Sequence, residues 1–136
     1  MALKNITIDM IRNGATLAGA VATAAAGGNK HLAKKEIDAF VGAHASPNEL
    51  LGAEEVGLLL DEVYKRARKA SQSGYAPSLT QVNKTLARAV AEAATKDKNR
   101  NGRLSPAEQK SLSPLATMLM YFSHQFRGYS PSDLDL

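Results

Sequence analysis

The sequence predicts a single all-α domain, on three observations. Apolar residues recur at three- and four-residue spacing through most of the chain, no alternating strand pattern exceeds a few residues, and Pro, Ser and Gly cut the chain into helix-length pieces. Its 136 residues suffice for one domain with a sizeable core, and 44% hydrophobic beside 22% charged residues is ordinary for a globule. Aromatics make up only 5%. Small side chains let helices approach closely but bury little area each, at about 25 cal/mol per Å² of apolar surface.

The elements follow in order. A first helix is expected from about Ile6 to Ala25, with Ile6, Met10, Leu17 and Val21 on its inner face, and a short second one from Ala33 to Val41. Ser46-Pro47-Asn48 marks a loop over 45–52. A third helix, Ala53 to Ala70, turns Val56, Leu59, Leu60, Val63 and Ala67 to one side. Gly74 and Pro77 define a linker over 71–78, and a fourth helix from Leu79 to Thr95 places Leu79, Val82, Leu86, Val90 and Ala93 inward. A short helix from Pro106 to Leu112 precedes a last one from Pro114 to Phe126, striped by Leu115, Leu119, Phe122 and Phe126. Residues 1–127 form one domain in this reading, and 128–136 a flexible acidic tail.

Between the fourth and fifth helices lies D-K-N-R-N-G-R-L-S-P-A-E, Asp97 to Glu108. Oxygen-bearing side chains stand at its first, third, fifth, ninth and twelfth positions and glycine at its sixth, the pattern by which twelve residues of backbone wrap one calcium ion. The segment resembles the EF-hand family. The resemblance implies one carboxylate oxygen from Asp97, amide oxygens from Asn99 and Asn101, the carbonyl of Arg103, two oxygens from Glu108, and Ser105 directly or through water. Gly102 takes the sharp bend, and Leu104 is the apolar residue that joins a short strand with a second loop. One Ca2+ per chain is expected, with Mg2+ weaker because it keeps its waters and demands tighter geometry.

A plainer reading covers part of the same residues. Ser105, Pro106 and Glu108 make a helix start with a capping box, and Asn101-Gly102 is a turn signal in any protein. Neither accounts for oxygen donors at three alternating positions ahead of the glycine. The loop also departs from a tight binder: residues 96–110 carry five positive and two negative side chains, net +3. Affinity follows ligand charge and rigidity, so a Kd on the order of 10⁻⁵ to 10⁻³ M is expected. Anchoring is thin as well, with Ala93, Lys96 and Gln109 where large apolar residues would be expected from the resemblance.

Related strings occur at Leu32 to Glu36, Leu51 to Glu55 and Leu79 to Asn83. The copies at 51 and 79 read as hydrophobic staples across ordinary helix starts. The copy at 32, after a long helix and Gly27, Gly28 and Asn29, reads as a degenerate loop, Ala25 to Glu36, that has lost its metal. The expected arrangement pairs the two loops, Leu32 opposite Leu104, with the helix from Ala53 to Ala70 inserted between.

Lys4 and Arg12 before an Ala-rich run resemble a secretory leader, but Asp9 and the helical face of Ile6, Met10, Leu17 and Val21 favour a retained core helix and a cytoplasmic location. Zero cysteines leave the redox compartment open, and the apolar run is too short to span a membrane.

Net charge is +4, with Lys65, Arg66, Arg68 and Lys69 clustered near one helix end. Helix-dipole complementarity explains such a cluster, and without aromatic interleaving or a recognition-helix motif nucleic acid is disfavoured over a protein partner, which could be acidic. His31, His44 and His124 have no zinc spacing, and no nucleophile or phosphate-loop pattern occurs, so no enzymatic activity is expected. Met118 to Phe122 reads as plain core or as a groove that closes on a partner. Two roles stand: a sensor or adaptor responding to Ca2+ through one EF-hand, or a helical interaction module with a structural Ca2+ site and a basic binding face.

Overall fold

The computed structural model describes residues 6–43, 52–71 and 76–128. Six helices occupy them: α1 (Ile8–Ala26), α2 (Lys34–Ala43), α3 (Ala53–Ser71), α4 (Leu79–Thr95), α5 (Pro106–Lys110) and α6 (Pro114–Gln125). Among the described residues extended pairing is confined to two isolated bridges, so the all-α expectation holds. Most of the 45–52 loop, half of the 71–78 linker and the tail beyond Gly128 lie outside the described residues.

Local chemistry sets the helix starts. Thr7 caps α1, its Oγ1 accepting from the Met10 amide at 3.1 Å. Ser78 caps α4 with a full capping box: its Oγ accepts from the Gln81 amide at 3.1 Å, and Gln81 Oε1 accepts from the Ser78 amide at 2.9 Å. Ser105 repeats the box and Ser113 caps with its hydroxyl alone, ahead of Pro106 and Pro114, whose fixed φ suits a first helical position. Gly27 ends α1 in the left-handed region at φ 60°.

The chain is built as two like halves, a long helix, a loop, a shorter helix and a third helix, and each half reaches into the other. The Leu104 amide donates to Ile6 O at 2.9 Å and the Ile8 amide to Gly102 O at 2.9 Å, so the loop after α4 is pinned to the start of α1. In the same pattern the Leu32 amide donates to Pro77 O at 3.0 Å and the Leu79 amide to Lys30 O at 2.8 Å, pinning the loop after α1 to the start of α4. This overturns the expected pairing of Leu32 with Leu104: each loop satisfies its amides on the extended residues leading into the other half's long helix. Nor is α3 inserted between the halves, because α1 and α4 pack directly on each other and α1 also packs closely on α6.

The core joins Ile6, Ile8, Ile11, Leu17 and Val21 to Leu59, Leu60, Val63, Leu86, Leu115, Leu119, Phe122 and Phe126. Ile11, fully buried, lies outside the face expected from spacing, because α1 is covered on several sides and a single stripe does not describe it. Met10, Leu79 and Val90 are only partly buried. Gly14 lets α1 approach α6 closely: a Cβ there would lie 2.3 Å from the carbonyl oxygen of Leu119 on α6. Leu119, Met120 and Phe122 are buried and Tyr121 is exposed, so the Met118 to Phe122 run is largely core. Lys34 Nζ ties α2 to α3, at 3.0 Å from Asp38 and 2.6 Å from Asp61.

Candidate functional site

The loop from Asp97 to Glu108 leaves α4 and re-enters helix at α5. Asp97, only 9% exposed, turns its carboxylate back over the loop. Oδ2 accepts from the Gly102 amide at 2.7 Å and Oδ1 from the Asn101 amide at 3.3 Å. Two residues make the bend possible: Gly102 at φ 78° and Arg100 at φ 54°, the latter alone among described non-glycine residues in having positive φ. Glycine adopts that region freely, whereas arginine does so at a cost of order 1–2 kcal/mol.

Glu108 closes the loop from its other end. Oε1 accepts from the Ser105 amide at 2.7 Å and Oε2 from the Lys98 amide at 2.9 Å, joining the second, ninth and twelfth residues. Ser105 Oγ accepts from the Glu108 amide at 3.2 Å, which completes a capping box on α5. These backbone donors, Ser105 first and Lys98 second, stabilise the carboxylate and hold its pKa below the usual glutamate value. One oxygen of the side chain thus completes the capping box, and the other ties the end of the loop to its second residue.

Arg103 is oriented by the bridge to α1. Its neighbours' Gly102 carbonyl and Leu104 amide point outward to Ile8 and Ile6, so the alternation of an extended strand turns the N–H and C=O of Arg103 the other way, into the loop. Its N–H there meets Asn101 Oδ1 at 3.0 Å. That oxygen keeps a second lone pair. Asn99 is exposed on the rim. Among the described residues no three His, Cys, Asp or Glu side chains converge, so any ion here rests on two carboxylates, amide oxygens and a carbonyl. That is an all-oxygen set, suited to a hard cation.

Anchoring is firmer than composition suggested. Gln109 is buried and donates from Nε2 to Leu104 O at 3.2 Å, so a polar residue occupies a core position with its amide satisfied. Ala93 is fully buried, and Leu104 and Leu112 flank α5.

The corresponding loop from Ala25 to Glu36 is built differently. Ala25 and Ala26 are buried as core, Gly27 and Gly28 take positive φ at its third and fourth positions, and Glu36 Oε1 accepts from Asn29 Nδ2 at 3.2 Å. It has no carboxylate at its first position to gather amides as Asp97 does in the loop after α4. His31 is exposed with Nδ1 at 3.2 Å from Ala76 O, His124 lies beside Arg127, and His44 is outside the described residues.

A cleft that spacing did not reveal lies between α3 and α4, about 540 Å³ in volume, where Lys65, Arg66 and Lys69 face Arg88. The basic run on α3 was legible; its alignment with Arg88 depends on how the two helices pack. Comparison of the chain with protein-family models, with curated proteins and with solved structures gives no match. Among the described residues no helix is long and apolar enough to cross a membrane.

Proposed function

We propose that the chain is a calcium-binding helical module whose loop from Asp97 to Glu108 is an EF-hand taking one Ca2+. The observation that carries this reading is the pair of carboxylates closing the loop from both ends, Asp97 on the amides of Asn101 and Gly102 and Glu108 on those of Lys98 and Ser105. Asp97, Asn99, Asn101, the carbonyl of Arg103 and Glu108 would hold the ion, with Ser105 directly or through a water.

Of the two roles, a structural clip is favoured over a sensor. A sensor needs an element whose position differs between the bound and free states. Here Glu108 is already drawn into the loop by two backbone donors, and the loop is already bonded to the start of α1. The ion would brace an existing arrangement, and partner binding would fall to the basic face. Calorimetry with Ca2+, with an apolar surface dye followed in parallel, tests this. One ion per chain, a raised unfolding midpoint and constant dye fluorescence are expected. Absence of binding heat and of any midpoint shift would overturn calcium binding; a calcium-dependent rise in dye fluorescence would restore the sensor.

A further inference from the structure

We propose that the cleft between α3 and α4 binds an acidic peptide segment of a partner protein. This specifies the basic face of the module without requiring the ion. Lys65, Arg66 and Lys69 line one wall, Arg88 the other, and Ala70 and Ala89 leave the space between them open. Among the described residues Lys65, Lys69 and Arg88 make no ion pair, and the guanidinium of Arg66 uses only Nε, at 2.8 Å from Glu62 Oε1. Four cations thus surround one hollow with most of their donors unspent. Helix-dipole complementarity accounts for cations at the end of α3, but not for Arg88, which stands in the body of α4.

Spacing and lining choose the occupant. Lys65 and Lys69 are one turn apart, about 6 Å along the helix axis, with Arg88 across the cleft from them. Carboxylates at alternate positions of an extended peptide recur every 6–7 Å or so and match that interval. Glu62 and Glu92 also line the cleft and lower its net positive charge for any anion, and nucleic acid fits it less well for want of a stacking platform. Among the described residues no aromatic side chain lines it to stack a base.

The test is fluorescence anisotropy of a labelled peptide alternating Glu with Ser, competed with a single-stranded oligonucleotide of equal charge, with calcium and with a chelator. Two double variants carry the same change in net charge: Lys65→Glu with Lys69→Glu in the cleft, and Lys35→Glu with Lys110→Glu on α2 and α5, away from it. Affinity is expected to fall at least about tenfold in the first and by no more than about threefold in the second. Arg88→Glu, on the opposite wall, should reproduce the loss if the first variant fails to fold by circular dichroism. Equal losses in both double variants, or an oligonucleotide that displaces the peptide at lower concentration than unlabelled peptide does, would overturn the proposal. Because the peptide is titrated with and without calcium, failure of the calcium reading leaves this result readable.

Discussion

Gly14→Ala puts the packing of the two halves to a direct test. The added methyl would meet Leu119 O at 2.3 Å, Leu119 C at 3.1 Å and Ser123 Cβ at 3.2 Å. Ordinary contact begins at about 3.4 Å, so α6 must move about 1 Å from α1, and the first obstacle is backbone, which cannot rotate away as a side chain would. Overpacking of this kind costs about 1–3 kcal/mol, and a backbone obstacle belongs at the upper end. Alanine recovers about 1 kcal/mol of helix propensity over glycine. The net expectation is a loss of about 1–2 kcal/mol, or a melting temperature lower by about 4–8 °C for a chain of this size. Gly42→Ala is the matched control. Among the described residues nothing lies within 4 Å of a Cβ built there, and its φ is not in the left-handed region, so the same substitution should stabilise by about 0.4–1 kcal/mol. Thermal and urea denaturation of the two variants measure the difference. If Gly14→Ala were neutral or stabilising beside a stabilised Gly42→Ala, the close approach of α1 to α6 would be refuted, and with it the exchange of elements between halves.

Three further outcomes are expected. Glu108→Gln should abolish measurable calcium heat, since it halves the loop's negative charge and an amide can accept from only one of the Ser105 and Lys98 donors; unchanged heat and stoichiometry would contradict this. Arg100→Gly should tighten calcium binding more than Arg100→Gln, because both remove a repelling charge but only glycine also relieves the left-handed backbone at φ 54°, and calorimetry in low and high salt separates the two contributions. Lys34, whose pKa is raised by its hydrogen bonds to Asp61 and then Asp38, stabilises the α2–α3 contact fully below the ordinary lysine value of 10.5 and loses that contribution as pH rises through the higher folded-state value; the gap in urea midpoint between the parent and Lys34→Met should therefore narrow above pH 10.5.

Much of the fold was legible because its signals are local. Ser105-Pro106 and Ser113-Pro114 mark helix starts by side-chain chemistry within a few residues, and the observed helices begin there. The face of α3 was readable because one side of it is buried, Val56, Leu59, Leu60, Val63 and Ala67 falling at helical spacing. The bridges were not readable: Ile6 to Leu104 and Leu32 to Pro77 are joined through backbone groups, which every residue type carries alike. At the candidate site, the donors and the bend were visible in the spacing. The left-handed Arg100 was not, since arginine gives no warning of that conformation, and neither was the satisfied burial of Gln109, which depends on the carbonyl of Leu104 coming within reach.

The reciprocal bridges would let an ion held in one loop act on the whole domain. The loop after α4 is bonded to the first turn of α1; α1 runs to the loop from Ala25 to Glu36, and that loop is bonded to the first turn of α4, which runs back to the loop after α4. The four segments make a closed circuit of two rigid helices and two backbone clamps. Local opening at either clamp frees one end of a long helix, and helix ends are where the least stable openings begin. An ion that binds the closed loop and not the open one stabilises by mass action every arrangement that keeps the loop closed. In this circuit that includes the start of α1 and, through the length of α1, the clamp on α4.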